Sequence, residues 1–157
     1  MPLFRTLLTA TIIFMVDRIS KWIVIEVMDL PRRIYIEVFP PYLNFVMGWN
    51  EGINFGLFGS GNDFMRYFLI ILAFAIIIGL IFWVRKQDGW LIPLSVGAII
   101  GGALGNVLDR LIYGAVADFL NMSCCGFNNP YAFNTADIAI FAGAFGLIFF
   151  GDPKKKR

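Results

Sequence analysis

Histidine is absent from this sequence, and cysteine occurs only twice, at the adjacent positions Cys124 and Cys125. Without histidine no Ser-His-Asp or Cys-His arrangement is available, and zinc loses its commonest ligand. Two neighbouring cysteines build neither a disulfide framework nor a four-ligand metal site. A bond between sequence neighbours is strained, so the pair is read as two small loop residues, with a redox or oligomer-linking role as the alternative. Proton chemistry is left to Asp, Glu, Lys, Tyr or Cys. Charge is scarce as well. Asp, Glu, Lys and Arg make up 15% of the 157 residues, against about 25% in an average soluble domain. The net charge of +2 carries no electrostatic footprint for nucleic acid.

What is there is apolar. Hydrophobic residues make up 59% of the chain and the mean hydropathy is +0.74. That excess has to face something other than water, and lipid is the obvious candidate. The length predicts one domain over 1–157. Four apolar stretches, at about 7–28, 64–84, 90–108 and 135–150, are read as transmembrane helices. The first is interrupted by Asp17, Arg18, Lys21 and Glu26. Those charges, and the absence of a small-residue cleavage site, make it a retained span rather than a signal peptide.

Basic residues set the expected orientation. Arg5, the Arg85-Lys86 pair and the tail Lys154–Arg157 fall on one side of a four-span chain, which the positive-inside rule makes the cytoplasm. Both termini are then cytoplasmic. The connections at about 29–63 and 109–134 face outward. In the first of these, Arg32–Phe39 alternates polar and apolar residues and Pro40-Pro41 ends the run, which predicts strands. The aromatic, glycine-rich continuation predicts tight turns. A small extracytoplasmic β-sheet is therefore expected over about 31–62, with Trp49, Phe55 and Phe58 as interfacial anchors. In the third span Gly97, Gly101 and Gly105 recur every four residues, a stripe that admits another helix closely. Gly102 lies beside the stripe.

Three polar groups stand out against this background, because ionisable residues at membrane depth cost about 2.5–3.5 kcal/mol each on insertion scales. Asp17 and Lys21 are four apart and can pair along one helix face, as a structural ion pair or as a contact for a polar headgroup. Asn106 and Asp109 share a face near the outer end of the third span, followed by Arg110. Asp118 lies just past that span and Asp137 opens the fourth, so a short loop can bring them together. Two close carboxylates in apolar surroundings divide their ionisation, one acting as acid and the other as base. Asp137 could instead simply favour a helix start. On these features alone three readings stay open: an aspartyl hydrolase, a proton-coupled transporter using Asp17 and Lys21, and a membrane scaffold using the glycine stripe.

Five motifs occur in order: Asp17-Arg-Ile-Ser-Lys21, Asn50-Glu-Gly-Ile-Asn-Phe-Gly56, Gly101-Gly-Ala-Leu-Gly-Asn-Val-Leu-Asp-Arg110, Val116-Ala-Asp-Phe119 and Phe133-Asn-Thr-Ala-Asp137. Together they resemble the motif set of the bacterial lipoprotein signal peptidases (signal peptidase II). The resemblance implies a multi-pass enzyme of the bacterial inner membrane, mainly helical, with an extracytoplasmic sheet or cradle and an active site on that side. It implies an aspartic endopeptidase that cuts diacylglyceryl-modified prolipoproteins before the lipidated cysteine. No metal or organic cofactor is implied, and the partners are the lipidated substrate and membrane lipids. Asp118 and Asp137 match the catalytic aspartates. Asn50, Gly102, Asn106, Arg110, Val116 and Asn134 match residues that bind substrate or support the site. Asp17, Lys21 and Asp109 are assigned structural polar roles. Thr135, Ile138 and Asn54 depart from the usual family residues, and one chain suffices for the site, so a monomer is expected.

Overall fold

A computed structural model describes residues 1–52, 63–124, 126–127 and 129–151. The expected anchors Phe55 and Phe58, the departure at Asn54 and the basic tail lie outside these residues. Helix α1 runs Pro2–Trp22 and passes into a wider π-helical turn, Ile23–Val27. A short helix α2, Leu30–Arg33, leads to strands β1, Tyr35–Phe39, and β2, Leu43–Asn50. Helix α3 spans Asp63–Val84, α4 spans Leu91–Tyr113, strand β3 spans Val116–Met122 and α5 spans Thr135–Phe150. The fold is mainly helical with one three-stranded antiparallel sheet in the order β1-β2-β3.

Helices α3 and α4 are each long and apolar enough to cross a membrane, with mean hydropathies of 2.9 and 1.8. Their large side chains largely face outward. Phe68, Ile71, Ile78 and Phe82 of α3 are exposed, as are Leu7, Ile12 and Val16 of α1 and Phe141, Phe145 and Ile148 of α5. Apolar faces of this extent are not left against water; this is a membrane protein. The inner packing is made by Ala10, Ile77, Val84, Ile92, Val96 and Ile100. A second cluster, Val24, Leu30 and Phe119 with Phe45 and Leu120 packed on it, seats the sheet on the end of α1.

Helix α4 is the central element. Its glycines Gly97 and Gly101 lie against the α1 backbone at Thr6 and Ala10, and Gly105 lies against the Asp17 side chain. The neighbouring Gly102 lies against α5, at the Ala136 carbonyl and Ile140. The stripe thus docks α1, while one residue beside it docks α5. Gly114 ends α4 with φ 81°, a left-handed conformation that costs glycine little, and turns the chain directly into β3.

Strand β3 is absent from the sequence-based expectation, which leaves Val116–Met122 outside regular structure. Val116, Ala117, Asp118 and Phe119 are all buried, so the strand is covered on both faces and shows no polar–apolar alternation to read. A second correction concerns Cys124, which is disulfide-bonded rather than a plain small residue. Cys124 and Phe127 exchange backbone hydrogen bonds of 3.3 and 2.8 Å. Cys125 lies outside the described residues.

Candidate active site

The two candidate aspartates arrive on different elements. Asp118 sits in the middle of β3, facing Gly48 in register, with Val116 opposite Asn50. Asp137 is the third residue of α5, and Asn134 is its N-cap. The local reason is a reciprocal cap. The Asn134 side-chain oxygen accepts from the Asp137 N–H at 3.0 Å, and Asp137 Oδ2 accepts from the Asn134 N–H at 3.2 Å.

Three asparagines surround the carboxylates, and each has its amide orientation set by a group that can only donate. Asn134 turns its oxygen to the Asp137 N–H, so its Nδ2 faces Asp118 Oδ1 at 2.6 Å. Asn50 turns its oxygen to the Gly52 N–H at 3.0 Å, so its Nδ2 reaches Asp118 Oδ2 at 3.0 Å. Asn106 turns its oxygen to the Lys21 ammonium at 3.3 Å, so its Nδ2 donates to Asp137 Oδ1 at 2.9 Å. Asn134 also donates to Asn106 Oδ1 at 3.3 Å. All four carboxylate oxygens therefore accept a hydrogen bond, and of the three asparagines Asn134 is the one bonded to both aspartates.

Electrostatics separates Asp118 from an ordinary surface carboxylate. Asp118 is 5% exposed. Burial pushes its carboxyl up to about 6; the Asp137 charge adds to this, while the Asn50 and Asn134 hydrogen bonds and the Lys21 charge pull it down. Asp137 lies in the first turn of α5, where the helix dipole suits a negative charge.

Beneath the aspartates lies a cluster of four charges. Lys21 Nζ contacts Asp17 Oδ2 at 3.0 Å and Asp109 Oδ2 at 2.6 Å. An Arg18 amino group contacts Asp17 Oδ2 at 2.8 Å and Asp109 Oδ1 at 2.6 Å. Asp17 and Asp109 are fully buried and Lys21 is 2% exposed. Two cations and two anions leave the cluster neutral, the condition under which buried charges persist. It also ties elements together. Asp109 accepts from the Ala117 N–H of β3 at 3.2 Å. Asp17 accepts from Thr135 Oγ1 and the Ala136 N–H of α5 at 2.9 and 3.1 Å.

The residues singled out in the sequence thus fall into connected roles. Asp118, Asp137, Asn50, Asn106 and Asn134 form one hydrogen-bonded group. Gly102 lets α5 approach α4 beside it. Val116 opens the strand that carries Asp118. Arg110 stays on its own helix, donating to the Asn106 carbonyl at 3.3 Å. The sequence treats Asp17–Lys21 and Asn106–Asp109 as separate pairs; the structure joins them through Lys21. The sequence leaves Arg18 and Thr135 out of the site's support, although both bond Asp17 directly. The signal for Arg18 was its place within an apolar span, where a charge requires a partner.

The fold and this site define a helical membrane protein with two carboxylates held by asparagines at one end of its bundle. A family model described as "Signal peptidase (SPase) II" matches residues 9–151. The chain is similar to the lipoprotein signal peptidase of Methylobacterium sp. (strain 4-46), 37% identical over 94% of this chain and 88% of that one. To that of Polynucleobacter necessarius it is 36% identical over 99% and 93%. To that of Methylorubrum extorquens it is 42% identical over 78% and 68%. A solved structure described as a bacterial membrane enzyme superposes with a TM-score of 0.77 at 26% identity, covering 97% of this chain and 91% of the other. The chain belongs to the signal peptidase II family of membrane proteases.

Proposed function

We propose that this chain removes the signal peptide from diacylglyceryl-modified prolipoproteins, cutting before the lipidated cysteine, with Asp118 and Asp137 as a general acid–base pair. The observation that carries the reading is Asn134, bonded to Asp118 through its side chain and to Asp137 through its backbone. One residue thereby holds both carboxylates at a single place. The family's relatives named as lipoprotein signal peptidases support the substrate class.

In this proposal α1, α3, α4 and α5 all span the bilayer, both termini are cytoplasmic, and the sheet lies as a cradle on the extracytoplasmic side. The chain works as a monomer in the inner membrane. The substrate enters from the lipid, and its scissile peptide reaches the aspartates at the membrane surface. Asp118 is the acid in this proposal: burial raises its carboxyl to about 6, and a bound substrate that removes more water raises it further. Asp137 is the base. It takes a proton from water as the oxygen attacks the carbonyl carbon, and Asp118 gives its proton to the carbonyl oxygen. The tetrahedral intermediate then breaks its C–N bond. Asp137 passes its proton to the leaving amine, and Asp118 recovers one from the collapsing hydroxyl. The amide N–H groups of Asn50, Asn106 and Asn134 are fixed before reaction, so they need no reorganisation as charge moves. The transporter reading has less behind it, since Asp17 and Lys21 are both engaged within the neutral cluster.

The experiment is cleavage of a diacylglyceryl-modified prolipoprotein by the purified protein in detergent, with the products weighed. The expected products are a free signal peptide and a chain beginning at the lipidated cysteine. A folded protein that leaves the substrate intact across pH would contradict the proposal.

A further inference from the structure

The third contact of Lys21 is not required by the charge cluster in which it sits. An ammonium has three N–H donors and no acceptor. Two of them serve Asp17 and Asp109. The third is directed at Asn106 Oδ1, 3.3 Å away. Asn106 is the residue whose amide donates to Asp137.

We propose that Lys21 is a positioning residue for the reaction: its buried ammonium fixes the Asn106 amide with the NH2 toward Asp137, and its charge lies behind the pair. This inference rests on the aspartate-pair reading above. Because Lys21 cannot accept, a turned amide would place NH2 against ammonium on one side and carbonyl against carboxylate on the other. Both contacts would be repulsive. Asn134 reinforces the same orientation by donating to the same Asn106 oxygen. The chain of contacts runs from Asp109 through Lys21 and Asn106 to Asp137, so a residue of α1 governs a carboxylate on α5.

The charged groups around the pair come from every element packed on it. Helix α1 supplies Asp17, Arg18 and Lys21, and α4 supplies Asp109 and Arg110. The sheet and α5 supply Asp118 and Asp137 themselves. Asp17, Arg18 and Asp109 are occupied with one another, and Arg110 feels the charges of Asp109, Asp118 and Asp137 together. The Lys21 charge also pulls the Asp118 carboxyl down. Loss of Lys21 alone therefore makes Asp118 hold its proton to higher pH, and loosens the donor on Asp137.

The test compares Lys21→Met with the charge-balanced double variant Lys21→Met/Asp109→Asn, which removes one cation and one anion and retains the Arg18–Asp17 pair. Rates on a diacylglyceryl-modified peptide are measured against pH, with folding checked by thermal melting in detergent. The expected result in whichever variant folds is a fall in kcat of about 10–100-fold, the scale of one hydrogen bond to a charged group. The pH profile of Lys21→Met moves upward by about one unit, that of the charge-balanced double variant moves less, and KM stays near the wild-type value in both. A folded Lys21→Met with an unmoved pH profile overturns the inference, whether its rate is high or low, and so does a folded double variant with the wild-type kcat. So does failure of both variants to fold, since Lys21 would then be needed for the fold alone. The failure of the underlying reading looks different: Asp118→Asn would remain active. Inactive aspartate variants beside an unmoved Lys21 profile would sink only the present inference.

Discussion

Replacing Gly102 by alanine perturbs the site without touching a polar atom. A Cβ built at Gly102 lies 2.5 Å from the Ala136 carbonyl oxygen and 2.8 Å from Ile140 Cγ1. Ordinary carbon contacts need about 3.5–4.0 Å. The oxygen belongs to the α5 backbone, so it cannot swing aside as a side chain could. Helices α4 and α5 must part by about 1 Å to admit the methyl group, at a cost of about 1–3 kcal/mol typical of overpacking. The parting falls where it matters. Asn106 is one turn along α4 from Gly102, and Asp137 follows Ala136 on α5. The 2.9 Å bond from Asn106 to Asp137 and the 3.3 Å bond from Asn134 to Asn106 would stretch beyond hydrogen-bonding range. Misplacement of this size costs about 100-fold in rate. Gly79 on α3 has nothing within 4 Å of its added Cβ and serves as the control. Melting in detergent and cleavage of a diacylglyceryl-modified peptide are the assays. Gly102→Ala with wild-type rate and stability would refute the view that the α4–α5 approach sets the site, as would an equal loss in Gly79→Ala.

Two further outcomes follow from buried charge. The folded-state value of Asp118, about 6, lies above its ordinary 3.8, so the folded protein holds the extra proton between those values. Its contribution to stability is greatest below pH about 4, declines as pH rises to about 6 and is flat beyond, a span of about 3 kcal/mol. Melting of the wild type against Asp118→Asn should show that decline in the wild type only; parallel curves would contradict it. Asp109→Ala should destabilise by about 3–5 kcal/mol, because Lys21 and Arg18 would share the single remaining carboxylate of Asp17 in a buried place. Asp29→Ala, which breaks a 3.5 Å pair with an exposed Arg32, should cost no more than about 1 kcal/mol. Equal melting temperatures for these two variants would refute the distinction.

Much of this arrangement could be read from the chain because bilayers and buried charges leave strong marks. The α3 run from Phe64 to Val84 has almost nothing polar in it, so its helix is legible from length and hydropathy alone. The glycines of α4 announce close helices, and Asp17 and Lys21 announce a partner by standing in an apolar stretch. What escaped has the opposite character. Strand β3 carries no alternation, since it is covered on both sides. The meeting of Lys21 with Asn106 joins residues of two helices 85 positions apart, which no local spacing encodes. The same holds for Thr135. The sequence marks it only as a departure from the family's residues, yet its hydroxyl bonds Asp17 and lies 2.8 Å from Ser20 Oγ, tying α5 to α1. The amide orientations of Asn50, Asn106 and Asn134 likewise depend on donors that only the folded chain supplies.

The central claim is that Asp118 and Asp137 divide the acid and base roles in one cleavage. Its most direct test is single-turnover cleavage of a diacylglyceryl-modified prolipoprotein by the wild type, Asp118→Asn, Asp137→Asn and the double variant, each shown to be folded by melting. The account predicts that each single variant loses nearly all activity and that the double is scarcely worse than either, because the pair acts as a unit. A folded single variant that cleaves at the wild-type rate would contradict it.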